Sequence, residues 1–325
     1  MSPENGPAQE PDVSRRGKDQ EMLGQESTDT IVTPAELLTC AEETLRKAGV
    51  PDPKTDARAL LFHCFDLTLT KYLLEKNTKL PEEYARNGRL AQFEKAIEKR
   101  KQRIPLQHIL GQAPFMGYLF EVNEHVLIPR ADTEILVETG LELIRMLREE
   151  KQEESQEEQV LDLCTGSGCI AVSLKKLEPS ISCTASDVSA QALAVARRNA
   201  ARLAAPVRFV CSNLFAAFAR TEKFDLIVSN PPYIATEEIG ALQEEVSGHD
   251  PFLALDGGED GLFFYRKICA LSPRHLKRGG FLAVEIGAEQ GQEVKRLMKS
   301  AGFTDVVIRK DLGGLDRVVC GQYLK

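Results

Sequence analysis

Over residues 34–110 apolar positions recur at three- and four-residue spacing between charged ones. From residue 160 onward they gather instead into short, partly β-branched runs separated by helical stretches. Thr33-Pro34-Ala35-Glu36 opens the first helix: a Thr N-cap, a Pro at the first helical position, and a Glu placed to close a capping box. Leu37, Leu38, Ala41, Leu45 and Ala48 follow at helical spacing, and Gly49 ends the run. Asp52-Pro53 starts a second helix carrying Ala57, Leu60, Leu61 and Phe65, and further helical patterns fall near 70–76 and 81–102. Phe115, Tyr118, Phe120, Val122 and Val126-Leu127-Ile128 predict a hairpin turning at Asn123-Glu124-His125. A helix is expected from about Glu134 to Leu147. The stretch Glu149–Glu158 has no apolar residue and predicts an exposed loop.

The second half alternates. Strands are expected at 160–163, 181–186, 206–211, 224–229 and 280–286. Helices are expected at 170–177 and 189–203, and near 236–246, 259–275 and 289–301. Two closing strands, 304–309 and 315–324, are joined by Asp311-Leu312-Gly313-Gly314. Such alternation implies an α/β domain with a mainly parallel sheet, here ending in an antiparallel hairpin. The expected layout is a disordered tail (1–30), a helical domain (31–110), a β-hairpin linker (111–128) and the α/β domain (129–325). The tail is assigned on composition: residues 1–28 hold only five apolar residues.

Composition narrows the function. A chain of 325 residues, 42% hydrophobic, can bury two cores. A formal charge of −8 argues against wrapping a nucleic-acid backbone with the whole surface. The helical domain runs the other way, with 14 Lys/Arg against 11 Asp/Glu, and Lys99, Arg100, Lys101 and Arg103 form its positive spot. That cluster reads first as a solvated helix end complementing the dipole, and second as a contact for an acidic or RNA-bearing partner. No apolar run reaches membrane-spanning length and no signal-peptide core stands near the start. Eight scattered cysteines without a CxxC pair read as reduced, mostly buried thiols of a cytoplasmic protein, with no metal site.

The candidate chemistry lies at strand ends, where parallel α/β sheets bind ligands. Cys164-Thr165-Gly166-Ser167-Gly168 follows the first strand of the domain, and its glycines let a ligand approach the backbone. Asp187 ends the next strand, 19 residues after Gly168, where a carboxylate meets ribose hydroxyls. Asp162 either orients the glycine loop or touches the ligand. Gly166-x-Gly168-x-x-Ala171 also satisfies a relaxed dinucleotide fingerprint, so a nicotinamide enzyme has to be weighed against a nucleoside-bearing methyl donor. Asn230-Pro231-Pro232-Tyr233 decides between them. The prolines fix φ, remove two N–H donors and stop the strand, which leaves an Asn side chain, carbonyl acceptors and an aromatic ring. Such a turn suits a planar –NH2 group: acceptors for its two N–H bonds and a π face beside it. Hydride transfer has no use for that arrangement; methylation of a planar nitrogen does. Glu285 ends a strand near the same edge, where it either serves the site or bonds a loop.

These residues resemble the methyltransferases that use S-adenosylmethionine (SAM), and more closely the release-factor glutamine methyltransferases (HemK/PrmC family). The resemblance covers about residues 33–325. It rests on the helical domain, Ile128-Pro129-Arg130 with Asp132-Thr133-Glu134, Leu161–Gly168, Asn230–Tyr233, and His249-Asp250-Pro251 with Ala254-Leu255-Asp256-Gly257-Gly258. It implies a Rossmann-like SAM domain and transfer of a methyl group to the amide N5 of the Gly-Gly-Gln glutamine of class 1 peptide-chain release factors. The implied cofactor contacts are Asp162, Cys164, Thr165, Gly166, Ser167, Gly168, Asp187, Leu214 and Asn230. Catalysis is implied at Asn230, Pro231 and Tyr233, with Pro232 completing the substrate site. The Asn-Pro-Pro-Tyr turn is shared with DNA adenine methyltransferases, so a ribosomal-protein glutamine or a nucleic-acid adenine is the alternative acceptor. A catalytically silent SAM-fold binding module is the alternative outside enzymes. Three positions depart from the family pattern. Cys164 replaces a glycine, which implies a backbone there that is not glycine-only. Asn213-Leu214 stands where some relatives have an acidic residue and an aromatic, and Ala131 replaces a common proline.

Overall fold

The computed structural model describes residues 33–151 and 157–325. The expected tail lies outside them. Six helices come first: α1 (Pro34–Lys47), α2 (Pro53–Phe65), α3 (Leu69–Glu75), α4 (Glu82–Arg86), α5 (Arg89–Lys101) and α6 (Leu106–Leu110). The capping box at Thr33 is formed, with Glu36 N–H on the Thr33 hydroxyl and the Glu36 carboxylate on Thr33 N–H at 2.8 Å. Leu45, Leu60, Leu61, Phe65 and Phe93 pack into one core. The single helix expected over 81–102 is two, α4 and α5, because Asn87-Gly88 interrupts it and Gly88 is left-handed (φ 79°).

The linker hairpin is β1 (Gln112–Phe115) and β2 (Tyr118–Glu121), and it corrects the expected turn. The chain reverses at Met116-Gly117, both at positive φ (49° and 77°), with Phe115 opposite Tyr118. Two left-handed central residues match the twist of a two-residue hairpin. Asn123–His125 instead forms a separate turn leading to the extended segment 126–130.

The α/β domain runs α7 (Glu134–Lys151), β3 (Gln159–Leu163), α8 (Cys169–Leu177), β4 (Ser182–Asp187), α9 (Ala190–Arg202), β5 (Val207–Cys211) and β6 (Phe224–Ser229). It continues with α10 (Glu244–Ser247), α11 (Phe252–Leu255), α12 (Phe263–Leu271), β7 (Leu276–Glu285), α13 (Gly291–Ser300), β8 (Thr304–Lys310) and β9 (Asp316–Tyr323). The sheet order is β5-β4-β3-β6-β7-β9-β8, parallel through β7 and antiparallel from β7 onward. Alternate strand residues face opposite layers. Val160, Leu226, Val228, Phe281 and Ala283 pack with α7 and α8; Leu161, Ile227, Leu282 and Val284 pack with α12 and α13.

Three local expectations change. The acidic stretch is helical up to Lys151, and Glu158 at its far end is buried against Arg148 at 2.8 Å. The helix expected near 236–246 is a 3-10 turn (Thr236–Ala241) followed by the one-turn α10. Of the eight cysteines all are free, but only four are buried: Cys169, Cys183, Cys269 and Cys320. No described helix is long and apolar enough to cross a membrane.

The basic cluster divides: Lys99 and Lys101 are exposed in the last turn of α5, as a solvated helix end would have them, whereas Arg100 and Arg103 are not. Arg100 is buried and bonds Asp56 through Nε (2.7 Å) and Glu245 through Nη2 (2.9 Å). Arg103 forks onto the same Glu245 with Nε and Nη2 at 2.8 and 2.6 Å. The two arginines therefore tie the helical domain to the segment that follows the Asn-Pro-Pro-Tyr turn. Burial alone raises the Glu245 carboxyl, but the bonds from Arg103 and Arg100 outweigh it and bring it down to about 2. Its stabilising contribution is then complete above the ordinary value of 4.5 and is lost as pH falls from there toward about 2. Glu245→Ala leaves Arg100 short of a buried partner and should destabilise the protein by about 3 kcal/mol in urea unfolding. A change within experimental error would mean that the two domains do not depend on this pair.

Candidate active site

The site lies beyond the carboxyl ends of β4, β3, β6 and β7, which stand side by side in that order. The break in sequence order between β3 and β6 creates the crevice. A cavity there is walled by the segment 125–130, Thr133, the loop 164–167, Asp187–Ser189, Ser212–Leu214, Asn230, Pro232, Leu253 and Phe264.

The glycine loop is held from beneath. Asp162 is fully buried; its Oδ2 accepts from the Thr165 hydroxyl at 2.6 Å and from Ala171 N–H, at the start of α8, at 3.3 Å. Burial pushes this carboxyl up to about 7, against the lowering effect of those two bonds. Asp162 is not part of the cavity wall, so of its two expected roles the structure favours orientation of the loop. Gly166 (φ 54°) has no atom within 4 Å of where a Cβ would project. Gly168 (φ 79°) has no such room: a Cβ would sit 3.0 Å from Ala196 Cβ on α9. Gly168 therefore serves helix–loop packing and does not line the cavity. Cys164 stands at the edge of the expectation, in a conformation a non-glycine residue can hold but seldom does. Its φ is 60°, in the left-handed region that glycine occupies more easily. Thr165 N–H, donating to Ser186 O at 3.0 Å, fastens the chain immediately after it.

Asp187 accepts Gly166 N–H on Oδ2 and Ser189 N–H on Oδ1, both at 2.9 Å. Two backbone donors orient the carboxylate and leave it further lone pairs. Burial raises its pKa and the two N–H bonds lower it, with burial the larger effect. Leu214 is buried at φ 49° on the cavity wall beside Asn213 and Val188.

Asn230 and Pro232 also line the cavity, whereas Pro231 and Tyr233 do not. The Tyr233 ring packs against the core layer that contains Tyr265 and Ile286, and burial pushes its hydroxyl up to about 12. Phe264 is the aromatic at the wall. The backbone of the turn is clamped from behind. Gln290 Nε2 donates to Tyr233 O at 2.9 Å, and Gly257 lies so close that a Cβ would meet Tyr233 Cα at 2.7 Å. This close approach explains Gly257, whereas Gly258 is left-handed (φ 84°) and a Cβ there would meet Phe263 at 3.1 Å.

Sequence reasoning missed three parts of the frame. Thr133 is buried and its Oγ1 takes a bond from Asn230 Nδ2 at 3.2 Å. Glu285, also buried, stands at the end of β7, and burial raises its carboxyl to about 7 against bonds from Thr133 and Asn230. Asn199, on α9, donates to both Glu121 O (3.0 Å) and Ser167 O (2.9 Å), and so staples the hairpin to the glycine loop. Glu285 had left a trace in the sequence as a carboxylate ending a strand and Thr133 one within the Asp132-Thr133-Glu134 run, but neither with this role; Asn199 had left none. Arg130 pairs with the buried carboxylate of Asp250 at 3.0 Å.

The comparisons with known proteins agree with this frame. Residues 140–311 match the model of the "Methyltransferase small domain", and 36–111 match that of the "PrmC N-terminal domain". The chain is 40% identical over 258 residues to the release factor glutamine methyltransferase of Clostridium acetobutylicum, spanning 78% of this chain and 84% of that protein. It is 38% identical over 291 residues to the one from Caulobacter vibrioides, spanning 89% and 96%. The chain belongs to the release factor glutamine methyltransferase family. Among solved structures, the hMettl16 catalytic domain overlays with a TM-score of 0.50 at 14% identity, covering 72% of this chain and 82% of that one, a likeness of fold alone. As a methyltransferase the protein is an enzyme whose methyl donor is SAM. The residues fit that donor. Gly166 offers backbone without a Cβ, Asp187 has spare lone pairs, and Leu214 and Val188 give an apolar wall suited to a purine. Among the described residues no group of His, Cys, Asp or Glu is arranged to hold a metal ion.

Proposed function

We propose that the protein methylates the side-chain amide N5 of the glutamine in the Gly-Gly-Gln motif of class 1 peptide-chain release factors. The observation that carries this reading is the Asn230 amide at the cavity wall. Its nitrogen is committed to Thr133, so its carbonyl oxygen is the atom left for a ligand.

A carboxamide nitrogen is a weak nucleophile because its lone pair is delocalised into the carbonyl. SAM, when bound, supplies an electrophilic methyl on a sulfonium. The chain's own residues must then aim the nitrogen. Asn230 Oδ1 and the Pro231 carbonyl accept the two N–H bonds of the substrate amide, which favours a pyramidal nitrogen and points its lone pair along the methyl–sulfur axis. Pro232 stiffens the turn, and Tyr233, whose ring packs into the core and not at the cavity wall, anchors it. No general base is needed before transfer, because the alkylated amide is acidic and gives its proton to solvent as the product leaves. Asp187 binds the ribose hydroxyls. Cys164, Thr165, Gly166 and Ser167 follow the methionine part, with Asp162 and Gly168 holding their loop, and Leu214 covers the adenine. The helical domain, locked to the 236–258 segment through Glu245, extends the surface available to a protein substrate.

Incubation with labelled SAM and purified release factors, ribosomal proteins and DNA, followed by mass spectrometry, tests the proposal. The label is expected on the Gly-Gly-Gln glutamine. Label on a ribosomal-protein glutamine or on DNA adenine, with none on release factors, would overturn it.

A further inference from the structure

The reading of Asn230 as an acceptor requires one of two nearly isosteric amide orientations, and the surroundings of Asn230 select it. In the parallel pairing of β6 with β7, Ser229 lies opposite Val284, so Asn230 and Glu285 occupy the next matched positions. Both continue the series Leu226, Val228 and Phe281, Ala283, whose side chains face the α7 layer. Thr133, the residue before α7, stands on that same face. Three elements thus bring a buried carboxylate, a buried hydroxyl and an amide together. The Glu285 backbone is fixed as well, since Tyr265 Oη donates to its carbonyl at 2.8 Å.

We propose that Glu285 and Thr133 are positioning residues that hold the Asn230 amide with its nitrogen inward and its oxygen toward the substrate. The logic is one of donors and acceptors. The register places Glu285 beside Asn230, and in its ionised form its carboxylate offers only acceptors to the Asn230 N–H and the Thr133 hydroxyl. With its proton committed to Glu285, Thr133 Oγ1 faces Asn230 as an acceptor and takes the second N–H at 3.2 Å. Turned over, the Asn230 oxygen would face one oxygen acceptor and one carboxylate, with no donor between them. Each partner alone is insufficient. Without Glu285, Thr133 can rotate its proton toward Asn230 and stabilise the wrong orientation; without Thr133, the link to α7 is gone. Glu285 Oε2 is buried without a hydrogen-bond partner, so the cluster holds an acceptor that favours a donor, not another oxygen, turned toward it.

The proposal rests on the acceptor reading of Asn230, and the experiment separates the two. Glu285→Gln, Thr133→Val, Thr133→Ser and the double variant Thr133→Val/Glu285→Gln are compared for kcat, KM for release factor, and SAM affinity by calorimetry. Glu285→Gln and Thr133→Val should each lower kcat by roughly 10- to 100-fold with SAM affinity nearly unchanged, and Thr133→Ser, which keeps the hydroxyl, should stay near the parent rate. The double variant should be no worse than the weaker single, because both changes break one network. If the two losses multiply, or if Thr133→Val keeps the parent kcat, the positioning role is refuted even where Asn230→Ala is inactive. An active Asn230→Ala would remove the acceptor reading itself. Should Glu285→Gln fail to fold, the Thr133→Val and Thr133→Ser pair still decides, since a hydroxyl without a role predicts equal rates for both.

Discussion

Asn230→Ala should lower turnover on release factor by about 100- to 1,000-fold and leave SAM affinity close to that of the parent. The magnitude is that of removing one preorganised hydrogen-bonding group aimed at charge that develops in the transition state. The separation from binding follows from position. Asn230 stands at the end of β6, whereas the backbone and carboxylate assigned to SAM belong to β3 and β4. Truncation removes an acceptor from the reacting nitrogen, and leaves the loop that Asp162 and Asp187 hold from the other side. The fold should survive, because the turn is clamped through Tyr233 O by Gln290 and through the glycines of 257–261. Rates on release factor and SAM titration calorimetry on the same preparation check this; a parent-like rate would exclude Asn230 from the transfer step.

The second large effect falls on the donor. Asp187→Ala should weaken SAM binding by about 100-fold, the loss of roughly 3 kcal/mol expected for two hydrogen bonds to a charged acceptor. Part of that loss is indirect, since Gly166 N–H and Ser189 N–H lose their shared acceptor and the cradle loosens. Asp187→Asn keeps one carbonyl acceptor and should fall between parent and Ala. Calorimetry reads both, with thermal unfolding to confirm that each variant is folded. Unchanged SAM affinity in Asp187→Ala would remove the ribose role. The opposite pattern is expected in the two experiments: Asn230→Ala binds SAM without turning over, and Asp187→Ala recovers some turnover as SAM is raised.

Much of this site was legible in residue order. A capping box, a glycine loop after an apolar run, an acid at the next strand end and an Asn-Pro-Pro-Tyr stop are local signals. Each works through the φ preferences and donor inventory of neighbouring residues, so each is written in consecutive positions. The parallel sheet and its antiparallel end followed from the same alternation. The acceptor, by contrast, came from likeness to a family and not from spacing.

Other features had no local signature. The hairpin turns at Met116-Gly117, not at the more turn-like Asn123–His125, because Phe115 and Phe120 must meet in the core under α7. Arg100 and Arg103 resembled a solvated helix end until Glu245, more than 140 residues later, was brought against them. Glu158 sits in an acidic run and is buried because Arg148 and Ser182 N–H, through its backbone carbonyl, meet it. By itself the sequence determined the order of the elements and the chemistry each strand end carries. The tertiary structure decided which of those ends become neighbours. Thr133, Asn230 and Glu285 show the reason: they are distant in the chain, and only the register of β6 on β7 and the docking of α7 bring the buried Glu285 carboxyl and the Thr133 hydroxyl to the Asn230 amide.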